Sequence, residues 1–545
     1  MGARFALLIV IASLVYGLLL FNLYNLQLTK GEEFVKRANA QYEAAGLLEA
    51  PRGVVYFTDK EGGRVAAALN RALPHLYAVP KEIKDPDAAA ALLAPILGES
   101  REALAEKFGR EGALYALLRD KADAETVSAV RALGLHGIYV RQVPKRVYPF
   151  GTLAAHLLGF VGSLEESTRL VGRYGVEEYY EYLLGGTPGL FEGGRFREPE
   201  PGEDLVLTVD PAIQREAERI LDGLVGKHRA EGGGILVQDP TTGKLLAMAA
   251  RPGFDPNAYR GTPLGHFLNP LMQGVYEPGS VVKVLTMAAG IDAGAVTPMT
   301  AYTDAGSVTV NGKTIRNFDL ATHGPYGRIT MYEVLEHSVN TGAVFVERLL
   351  GRERFKEYME RFGLGAPTGV DLGGEVAGDL RRLSPRERDI AFATASYGQG
   401  ISVTPLELIG AVSAIANEGA LMRPYLRSAL APETLGHPVR RDTARVVAEM
   451  MVRAVDRAKV AAIKGYAVAG KTGTANVPDF EQGGYTEEVV NTYVGFAPAS
   501  DPRFTILIKL DKPAGAPVAS LTVVPAFRDL AQFILNYYDI PPDRL

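Results

Sequence analysis

Apolar and polar positions divide the chain into three stretches of different character. Residues 5–28 are almost entirely apolar, and a run of that length can cross a bilayer as a helix. Between residues 29 and 203, short strand-like runs alternate with helical ones, and the charged, helical pattern of 81–135 predicts a small α-rich insert. From residue 204 to 545, strand-like runs at both ends enclose a long helical section. The pattern predicts an anchored α+β chain with a smaller and a larger folded domain.

The apolar N-terminal run is expected to be an uncleaved membrane anchor. Residues 1–4 carry one positive charge, on Arg4, which favours a short cytoplasmic tail. A cleaved signal peptide is the alternative, but no small-residue cleavage site is present and the apolar run continues past Phe21. The body of the protein would then lie on the outer side of the cytoplasmic (inner) membrane, after an exposed helix over residues 30–50.

The larger domain is expected to contain one antiparallel sheet. Its strand-like runs are residues 205–210, 233–239, 244–250, 466–475, 491–497 and 503–511. An amphipathic helix at 211–225 follows the first run, and a terminal helix covers 526–538. Strands at both ends of a domain, with helices between them, are best satisfied when the strands form a single sheet packed with helices.

Composition narrows the chemistry that the chain can perform. The 545 residues are 47% hydrophobic, carry a net charge of −5 and include no cysteine. This balance does not suggest nucleic-acid binding, and the absence of cysteine excludes disulfides, thiol catalysis and thiolate metal sites. The eight histidines show no metal-ligand spacing, so neither a metal nor another cofactor is expected.

A serine and a lysine at the start of a buried helix are the first candidates for catalysis. Pro278 and Gly279 interrupt the backbone, and Ser280 opens an apolar run that predicts a helix. Lys283 follows three residues later, so both side chains project from one face of the first turn. Backbone N–H groups at a helix N-terminus favour negative charge near the serine, and a buried lysine can lose its proton and act as a base. Taken alone, an N-capping serine and a surface lysine would give the same letters.

A second motif, Ser338-Val339-Asn340, lies between two predicted helices. The serine hydroxyl could pass a proton, and the asparagine amide could hold a substrate amide. An N-capping serine between two helices is the alternative interpretation.

A third motif, Lys471 to Thr474, ends an alternating strand that begins near residue 466. Gly473 would let a ligand approach the strand closely, and an edge strand offers free backbone groups. Lys471 supplies positive charge for a substrate carboxylate. The backbone N–H groups of Thr474 and Ser280 could together form an oxyanion hole.

Two competing motifs fail their structural tests. Residues 465–472 match the nucleotide-binding P-loop letter for letter, but a helical stretch precedes them and no helix can open at the lysine. His337 with Asp210 or Asp239 could suggest a Ser-His-Asp triad, but the chain contains no G-x-S-x-G elbow. His337 is expected instead at a helix C-terminus, where it interacts with the helix dipole.

The three motifs occur in the order typical of the penicillin-binding protein and serine β-lactamase superfamily. Over nearly its whole length the chain resembles a class B, membrane-anchored penicillin-binding protein. Further matching segments are 51–53, 69–70, 146–149, 175–177, 207–210, 239–249, 255–257 and 397–400. The resemblance implies a transpeptidase domain at 204–545, with an antiparallel sheet and helices on both faces. It also implies an elongated α+β pedestal, or dimerisation-like domain, at 29–203.

The resemblance also implies a D,D-transpeptidase that crosslinks peptidoglycan stem peptides ending in D-Ala-D-Ala and is acylated by β-lactams. The implied catalytic residues are Ser280, Lys283, Ser338, Lys471 and Thr474, and the implied substrate-binding residues are Asn340, Thr472, Gly473 and Thr474. Ser280 would attack the penultimate D-Ala carbonyl while unprotonated Lys283 takes its proton. An amine of a second stem peptide would then resolve the acyl-enzyme.

Within class B, the sequence is more similar to the septal division type than to the elongation type, which usually has Asp where Asn340 stands. Too little sequence precedes residue 205 for a separate glycosyltransferase domain, so polymerisation would need a polytopic membrane glycosyltransferase of the shape, elongation, division or sporulation type. The alternatives are an elongation-type enzyme, a D,D-carboxypeptidase or β-lactamase-like hydrolase, and a scaffold that activates such a glycosyltransferase.

Overall fold

The computed structural model describes residues 2–30, 50–110, 113, 115–163, 170–192, 195–479, 482–515 and 517–544. Most of the helix predicted over 30–50 lies outside the described residues. The chain forms two compact units. The first contains Met1–Val54, Ala68–Val147 and Tyr182–Asp204, and the second contains Val55–Ala67, Tyr148–Glu181 and Leu205–Leu545.

The N-terminal helix, Gly2–Tyr24, continues into a π-helical turn at Asn25–Thr29. Within it, Arg4–Gln27 is long and apolar enough to cross a membrane, and none of its most apolar stretch is buried against the rest of the protein. Exposed leucine, isoleucine and phenylalanine side chains over that length favour a lipid environment. This helix therefore fits a membrane anchor.

The first unit is built around a long two-stranded antiparallel ribbon. Leu69 to Ala78, within the strand Arg64–Ala78, pairs with Ile138–Val147, and the short strand Ala116–Arg119 pairs with the same strand near Leu76. The other elements between residues 80 and 140 are Pro80–Glu82, Pro86–Leu97, Arg101–Phe108 and Ala124–Ala132. The last three are helices that begin at capping side chains, Asp85, Ser100 and Asp123. The strand Ala116–Arg119 lies inside the stretch expected to be helical.

The second unit contains a five-stranded sheet in which all neighbours are antiparallel. Its spatial order is Leu245–Arg251, Gly232–Gln238, Phe504–Asp511, Tyr485–Ala497 and Ala469–Pro478. The strand Ala469–Pro478, here called the edge strand, is the last in this order, so one side of its backbone has no strand neighbour within the sheet.

Helices cover both faces of this sheet. Alternate side chains of each strand point to opposite sides, so each strand contributes to two separate packed layers. Ile235 and Val237 lie in a buried cluster with side chains of the helices Pro211–His228 and Val523–Tyr537. On the opposite face, Ser413 of the fully buried helix Pro405–Ala416 donates a hydrogen bond to Gln238. The predicted antiparallel sheet with helices on both faces is confirmed.

The remaining elements of the second unit lie around the sheet. Near its N-terminal part they are Val55–Thr58, Ala155–Leu158, Phe160–Ser163, Leu170–Arg173, Gly175–Tyr179, Leu205–Val206 and Leu264–Phe267. The middle section contains Gly279–Val281, Val282–Asp292, Ala301–Asp304, Ser307–Val310, Lys313–Arg316, Leu320–His323, Gly327–Thr330, Met331–Glu336, Asn340–Leu350 and Arg352–Arg361. Then follow Arg381–Leu383, Asp389–Ala395, Leu421–Met422, Thr434–Gly436, Arg441–Ala458 and Ala519–Leu521. The strand predicted at 205–210 is shorter than expected, since only Leu205–Val206 is extended within a sheet.

Candidate active site

Ser280 lies in a single 3₁₀ turn, Gly279–Val281, which leads directly into the helix Val282–Asp292. We call Gly279–Val281 the nucleophile turn. The helix is buried on nearly all sides because its sequence is almost wholly apolar, and it carries Lys283 into the interior with only 2% of that residue exposed. A buried lysine one turn after a partly exposed serine is the arrangement that the spacing predicts.

The nucleophile turn packs closely against the edge strand, and glycines permit this approach. A Cβ atom on Gly473 would lie 2.7 Å from the carbonyl oxygen of Pro278 and 3.1 Å from Cγ2 of Val281. Gly279 has a φ of +57° and comes close to the Thr474 carbonyl on the same strand. Any side chain at position 473 would therefore push the strand away from Ser280.

A second glycine contact supports the turn from the segment 397–400. The Gly279 N–H donates a hydrogen bond of 3.1 Å to the Gly398 carbonyl. A Cβ on Gly398, whose φ is +85°, would lie 2.1 Å from the carbonyl oxygen of Gly279. The matching segment 397–400 thus fixes the backbone of the nucleophile turn.

Ser338 connects the other two motifs through its hydroxyl. Lys283 Nζ donates to Ser338 Oγ at 3.1 Å and also to the Ser338 carbonyl, while Lys471 Nζ donates to the same Oγ at 2.9 Å. Ser338 has a φ of +56°, a left-handed conformation that is uncommon for a residue with a side chain. Because the two lysines donate to both acceptor positions of Ser338 Oγ, the hydroxyl proton must point away from both lysines.

Both lysines are held in an environment that disfavours their charge. Burial lowers the pKa of Lys283 well below its ordinary value, the positive charge of Lys471 lowers it further, and the carboxylate of Asp319 opposes both effects. Burial also lowers the pKa of Lys471, to about 7. The lowered pKa favours the unprotonated form of Lys283, and that form can accept a proton.

The remaining predicted binding residues line the same region. Lys471 Nζ also contacts the Thr472 carbonyl at 3.1 Å and Oγ1 at 3.3 Å. Asn340 begins the helix Asn340–Leu350 and donates from Nδ2 to the Arg316 carbonyl at 2.8 Å. Thr474 Oγ1 accepts from the Ala519 N–H at 3.3 Å. Among the described residues, no hydrogen bond joins Lys283 to the Ser280 hydroxyl.

A buried polar network, which the sequence motifs do not predict, lies behind the second motif. Asn317 donates to both carboxylate oxygens of Asp304, and Thr341 Oγ1 donates to Asp304 Oδ1 at 2.6 Å. The Thr341 N–H donates to Asn317 Oδ1 at 3.1 Å. All three residues are buried, and their mutual bonds fix the backbone that follows Ser338. The threonine directly after Asn340 is the only feature of the sequence that indicates this network, and a single threonine is too weak a signal to predict it.

A cavity of about 910 Å³ opens along the C-terminal half of the edge strand. Residues 475–479, Glu277 and Arg382 belong to its wall. The Glu277 carboxylate accepts from the Gly400 N–H at 2.9 Å and from the Tyr485 hydroxyl at 3.0 Å. An extended ligand on the edge strand would enter this cavity once it passes Thr474.

The competing interpretations are not supported by the structure. Lys471 lies within the strand Ala469–Pro478 and not at the start of a helix, so residues 465–472 do not form a P-loop. The strand starts later and ends later than expected, which places the third motif inside it and not at its end. Val339, not Ser338, caps the helix Asn340–Leu350, and His337 ends the helix Met331–Glu336.

The close approach at Gly473 gives a testable result. Gly473→Ala should lower the second-order rate constant for β-lactam acylation by roughly 100-fold, because a displacement of about 1 Å at the reacting groups has an effect of that size. Stopped-flow acylation with a fluorescent penicillin measures this. Gly223→Ala is the matched control, since a Cβ there meets nothing within 4 Å. Unchanged acylation in Gly473→Ala would show that the strand can move without consequence.

The lowered pKa of Lys471 makes stability depend on pH. Its pKa is about 7 in the folded protein against an ordinary 10.5, so between these values the unfolded chain binds more protons and stability rises with pH. The slope from this lysine is at most about 1.4 kcal/mol per pH unit. Lys471→Met should therefore give a flatter dependence of Tm on pH between about 7 and 10. Calorimetry of the detergent-solubilised protein tests this, and an unchanged slope would contradict it.

Comparisons with known proteins agree with this fold and geometry. Residues 233–532 match the penicillin-binding protein transpeptidase domain, and residues 47–193 match the penicillin-binding protein dimerisation domain. The first match covers more than half of the chain, so this protein belongs to the penicillin-binding protein transpeptidase family. The resemblance inferred from the three motifs is confirmed.

Individual relatives extend over almost the whole chain. FtsI of Escherichia coli K12, a peptidoglycan D,D-transpeptidase, is 30% identical and aligns with 99% of this chain and 93% of its own. Stage V sporulation protein D of Bacillus subtilis is 30% identical over 92% of this chain and 81% of its own. The crystal structure of penicillin-binding protein 2X from Streptococcus thermophilus has the same fold, with a TM-score of 0.74 at 23% identity over 91% of this chain and 81% of that one. These relatives are class B penicillin-binding proteins, and the chain is an enzyme of that class.

Proposed function

We propose that the protein is a peptidoglycan D,D-transpeptidase that works through an acyl-enzyme on Ser280. The observation that carries the proposal is the Ser338 hydroxyl, which accepts hydrogen bonds from both Lys283 and Lys471 beside the nucleophile turn. Three distant parts of the sequence would thus act together: residues 280–283 would supply the nucleophile and the base, and Ser338, held by Lys471, would supply the proton relay.

In the acylation step, Ser280 Oγ attacks the carbonyl carbon of the penultimate D-Ala, and its proton passes to the unprotonated amine of Lys283. The C–N bond to the terminal D-Ala then breaks, and Ser338, held by Lys471, relays the proton from Lys283 to the departing nitrogen. The backbone N–H groups of Ser280 and Thr474 stabilise the oxyanion. Loss of one such donor typically costs about 3 kcal/mol in the transition state.

The donor peptide is expected to lie antiparallel to the edge strand. Its terminal carboxylate would bind at Lys471, Thr472 and Thr474, while Asn340 orients its backbone amide. With the penultimate carbonyl at Ser280, the preceding residues continue past Thr474 toward residues 475–479 and the 910 Å³ cavity. The edge strand offers backbone groups for pairing, and Gly473 lets that strand lie close to the nucleophile turn, so a paired peptide would be near Ser280.

The membrane topology and domain roles are part of the same proposal. Residues 1–4 would lie in the cytoplasm, 5–28 would cross the cytoplasmic membrane, and 204–545 would act outside it. Residues 29–203, with the insert at 81–135, would serve as a pedestal. A polytopic membrane glycosyltransferase would supply the glycan chains, and no cofactor or nucleic acid takes part.

We infer a role in septal wall synthesis from the Ser338-Val339-Asn340 form of the second motif and from the similarity to FtsI over 99% of this chain. A fluorescent fusion should then concentrate at the division site, and depletion should give filamentous cells. Rounded or swollen cells of normal length after depletion would favour the elongation type.

Product analysis tests the proposed reaction. The full-length protein is incubated with a purified pentapeptide donor, with and without an acceptor amine, and the products are separated by mass. A crosslinked product that appears only with acceptor is the expected result. A tetrapeptide formed equally with and without acceptor would identify a D,D-carboxypeptidase instead.

A further inference from the structure

The loop of residues 317–326, here called the rim loop, is attached to the second motif at its first residue. Asn317 is buried, and it is bonded to Asp304 and to the Thr341 N–H, one residue after Asn340. Asn340 itself holds the Arg316 carbonyl at 2.8 Å. The start of the rim loop therefore cannot move independently of the second motif.

The end of the rim loop is attached to the same part of the structure. The Tyr326 N–H donates to Asp304 Oδ2 at 2.9 Å. The Tyr326 ring lies 4.4 Å from the ring of His337, the residue before Ser338, and 4.2 Å from the ring of His323. Its hydroxyl donates a hydrogen bond to the Asp319 carboxylate.

These contacts hold the Tyr326 ring against His337, the residue before Ser338, and the Tyr326 hydroxyl in turn holds the Asp319 carboxylate. Asp319 is only partly buried. Burial has the largest effect on the pKa of Lys283 and lowers it, and the negative charge of Asp319 raises that pKa by a smaller amount. The ring of Phe318, the preceding residue, is 77% exposed. An exposed aromatic side chain next to a partly exposed carboxylate is suited to bind a cation.

The proposed transpeptidation needs such a cation, because the acceptor amine is protonated in water at neutral pH. We propose that Asp319, positioned by Tyr326, binds the ammonium group of the acceptor stem peptide and delivers it to the acyl-enzyme on Ser280. This inference rests on the proposed function and identifies the acceptor subsite of the same reaction. Phe318 supplies an apolar and aromatic wall for the acceptor side chain.

The proton and electron balance of the step follows from the groups present. The acceptor ammonium held at Asp319 gives its proton to the unprotonated Lys283. The free amine attacks the ester carbonyl and forms a C–N bond, and collapse of the tetrahedral intermediate breaks the bond to Ser280 Oγ. The serine oxygen leaves with a proton from Lys283, which becomes neutral again. The second proton of the attacking nitrogen then passes through Ser338 to Lys283, which releases it to water before the next turnover.

Asp319→Asn tests this proposal when two acceptors of different charge are compared. The full-length enzyme is acylated with a thioester donor, and the acyl-enzyme is then resolved either by a stem-peptide acceptor with a free ammonium group or by hydroxylamine, which is uncharged at neutral pH. We expect the rate constant for the cationic acceptor to fall by roughly tenfold or more, which corresponds to about 1.4 kcal/mol. The rate with hydroxylamine should change by less than about twofold, because no charge is recognised.

Two further variants complete the test. Asp442→Asn removes the same charge from an exposed position in the first turn of the helix Arg441–Ala458, and both acceptors should react at the wild-type rate. Tyr326→Phe removes the hydroxyl that positions Asp319. It should therefore lower the rate constant for the cationic acceptor, as Asp319→Asn does.

Equal losses with both acceptors in Asp319→Asn would indicate a structural effect and overturn the proposal, as would unchanged aminolysis by the cationic acceptor. Failure of the wild-type protein to form any acyl-enzyme would overturn the proposed function and this inference with it. Normal acylation with acceptor rates that are insensitive to Asp319 would overturn the inference alone.

Discussion

Ser280→Ala should abolish covalent labelling by a fluorescent penicillin and lower acyl transfer to a stem-peptide acceptor by roughly 10⁴- to 10⁶-fold, the effect typical of removing a catalytic nucleophile. No other described hydroxyl lies in the nucleophile turn, and Ser338 is already bonded to both lysines. The variant should fold normally, because the Ser280 side chain is partly exposed and the turn is held by backbone contacts to Gly398.

The labelling experiment is best combined with mass spectrometry of the adduct and a matched serine variant. Ser428→Ala changes an exposed serine in the same unit and should leave labelling unchanged. The penicilloyl mass should map to the peptide that contains Ser280. An adduct on another residue, or full labelling of Ser280→Ala, would contradict the assignment of the nucleophile.

The parts of the site whose residues are close together in the sequence could be predicted from their spacing and pattern. Ser280 and Lys283 are one helical turn apart, so their spacing places them on one face of a helix, and the apolar run that follows Ser280 indicates that this helix is buried. The strand that carries Lys471 is recognisable from its alternating pattern and its glycine. The order of the motifs then indicated the family, and with it an antiparallel sheet with helices on both faces.

The long-range parts of the site could not be predicted in this way. The left-handed backbone at Ser338 has no sequence signature, since serine rarely adopts it. The contact between Gly398 and Gly279 joins residues that are more than one hundred positions apart. The network of Asp304, Asn317 and Thr341 depends on mutual burial of polar groups, and neither spacing nor propensity reports such burial.

The same burial that activates the lysines has a cost in stability. Lys283 and Lys471 are only 2% and 4% exposed, and no carboxylate forms an ion pair with either among the described residues. A buried amine without a counter-ion disfavours the folded state at neutral pH, because it must either hold its charge away from water or give up a proton that the unfolded chain keeps. The apolar helix around Lys283 and the five-stranded sheet around Lys471 offset this cost, as expected where function and stability conflict.

Lys283→Met should lower the rate constant for β-lactam acylation by roughly 10²- to 10⁴-fold, the usual effect of removing a general base. The methionine side chain is apolar and about as long as that of lysine, so it fits the buried site, and the variant should be at least as stable as the wild type. The pH dependence should also change. Wild-type acylation should be constant above the pKa of Lys283 and fall as the pH decreases through it, because the base becomes protonated, whereas Lys283→Met should show no such fall.

Lys283→Arg separates a base from a fixed positive charge. Arginine keeps its proton at any accessible pH, so it should be as inactive as the methionine variant if Lys283 accepts the serine proton. If the lysine acts only through its charge, arginine should retain most of the rate. Lys464→Met, at an exposed position in the same unit, controls for loss of one lysine and should acylate normally. A pH profile in Lys283→Met that matches the wild type would show that another group, with Lys471 the first candidate, takes the proton from Ser280.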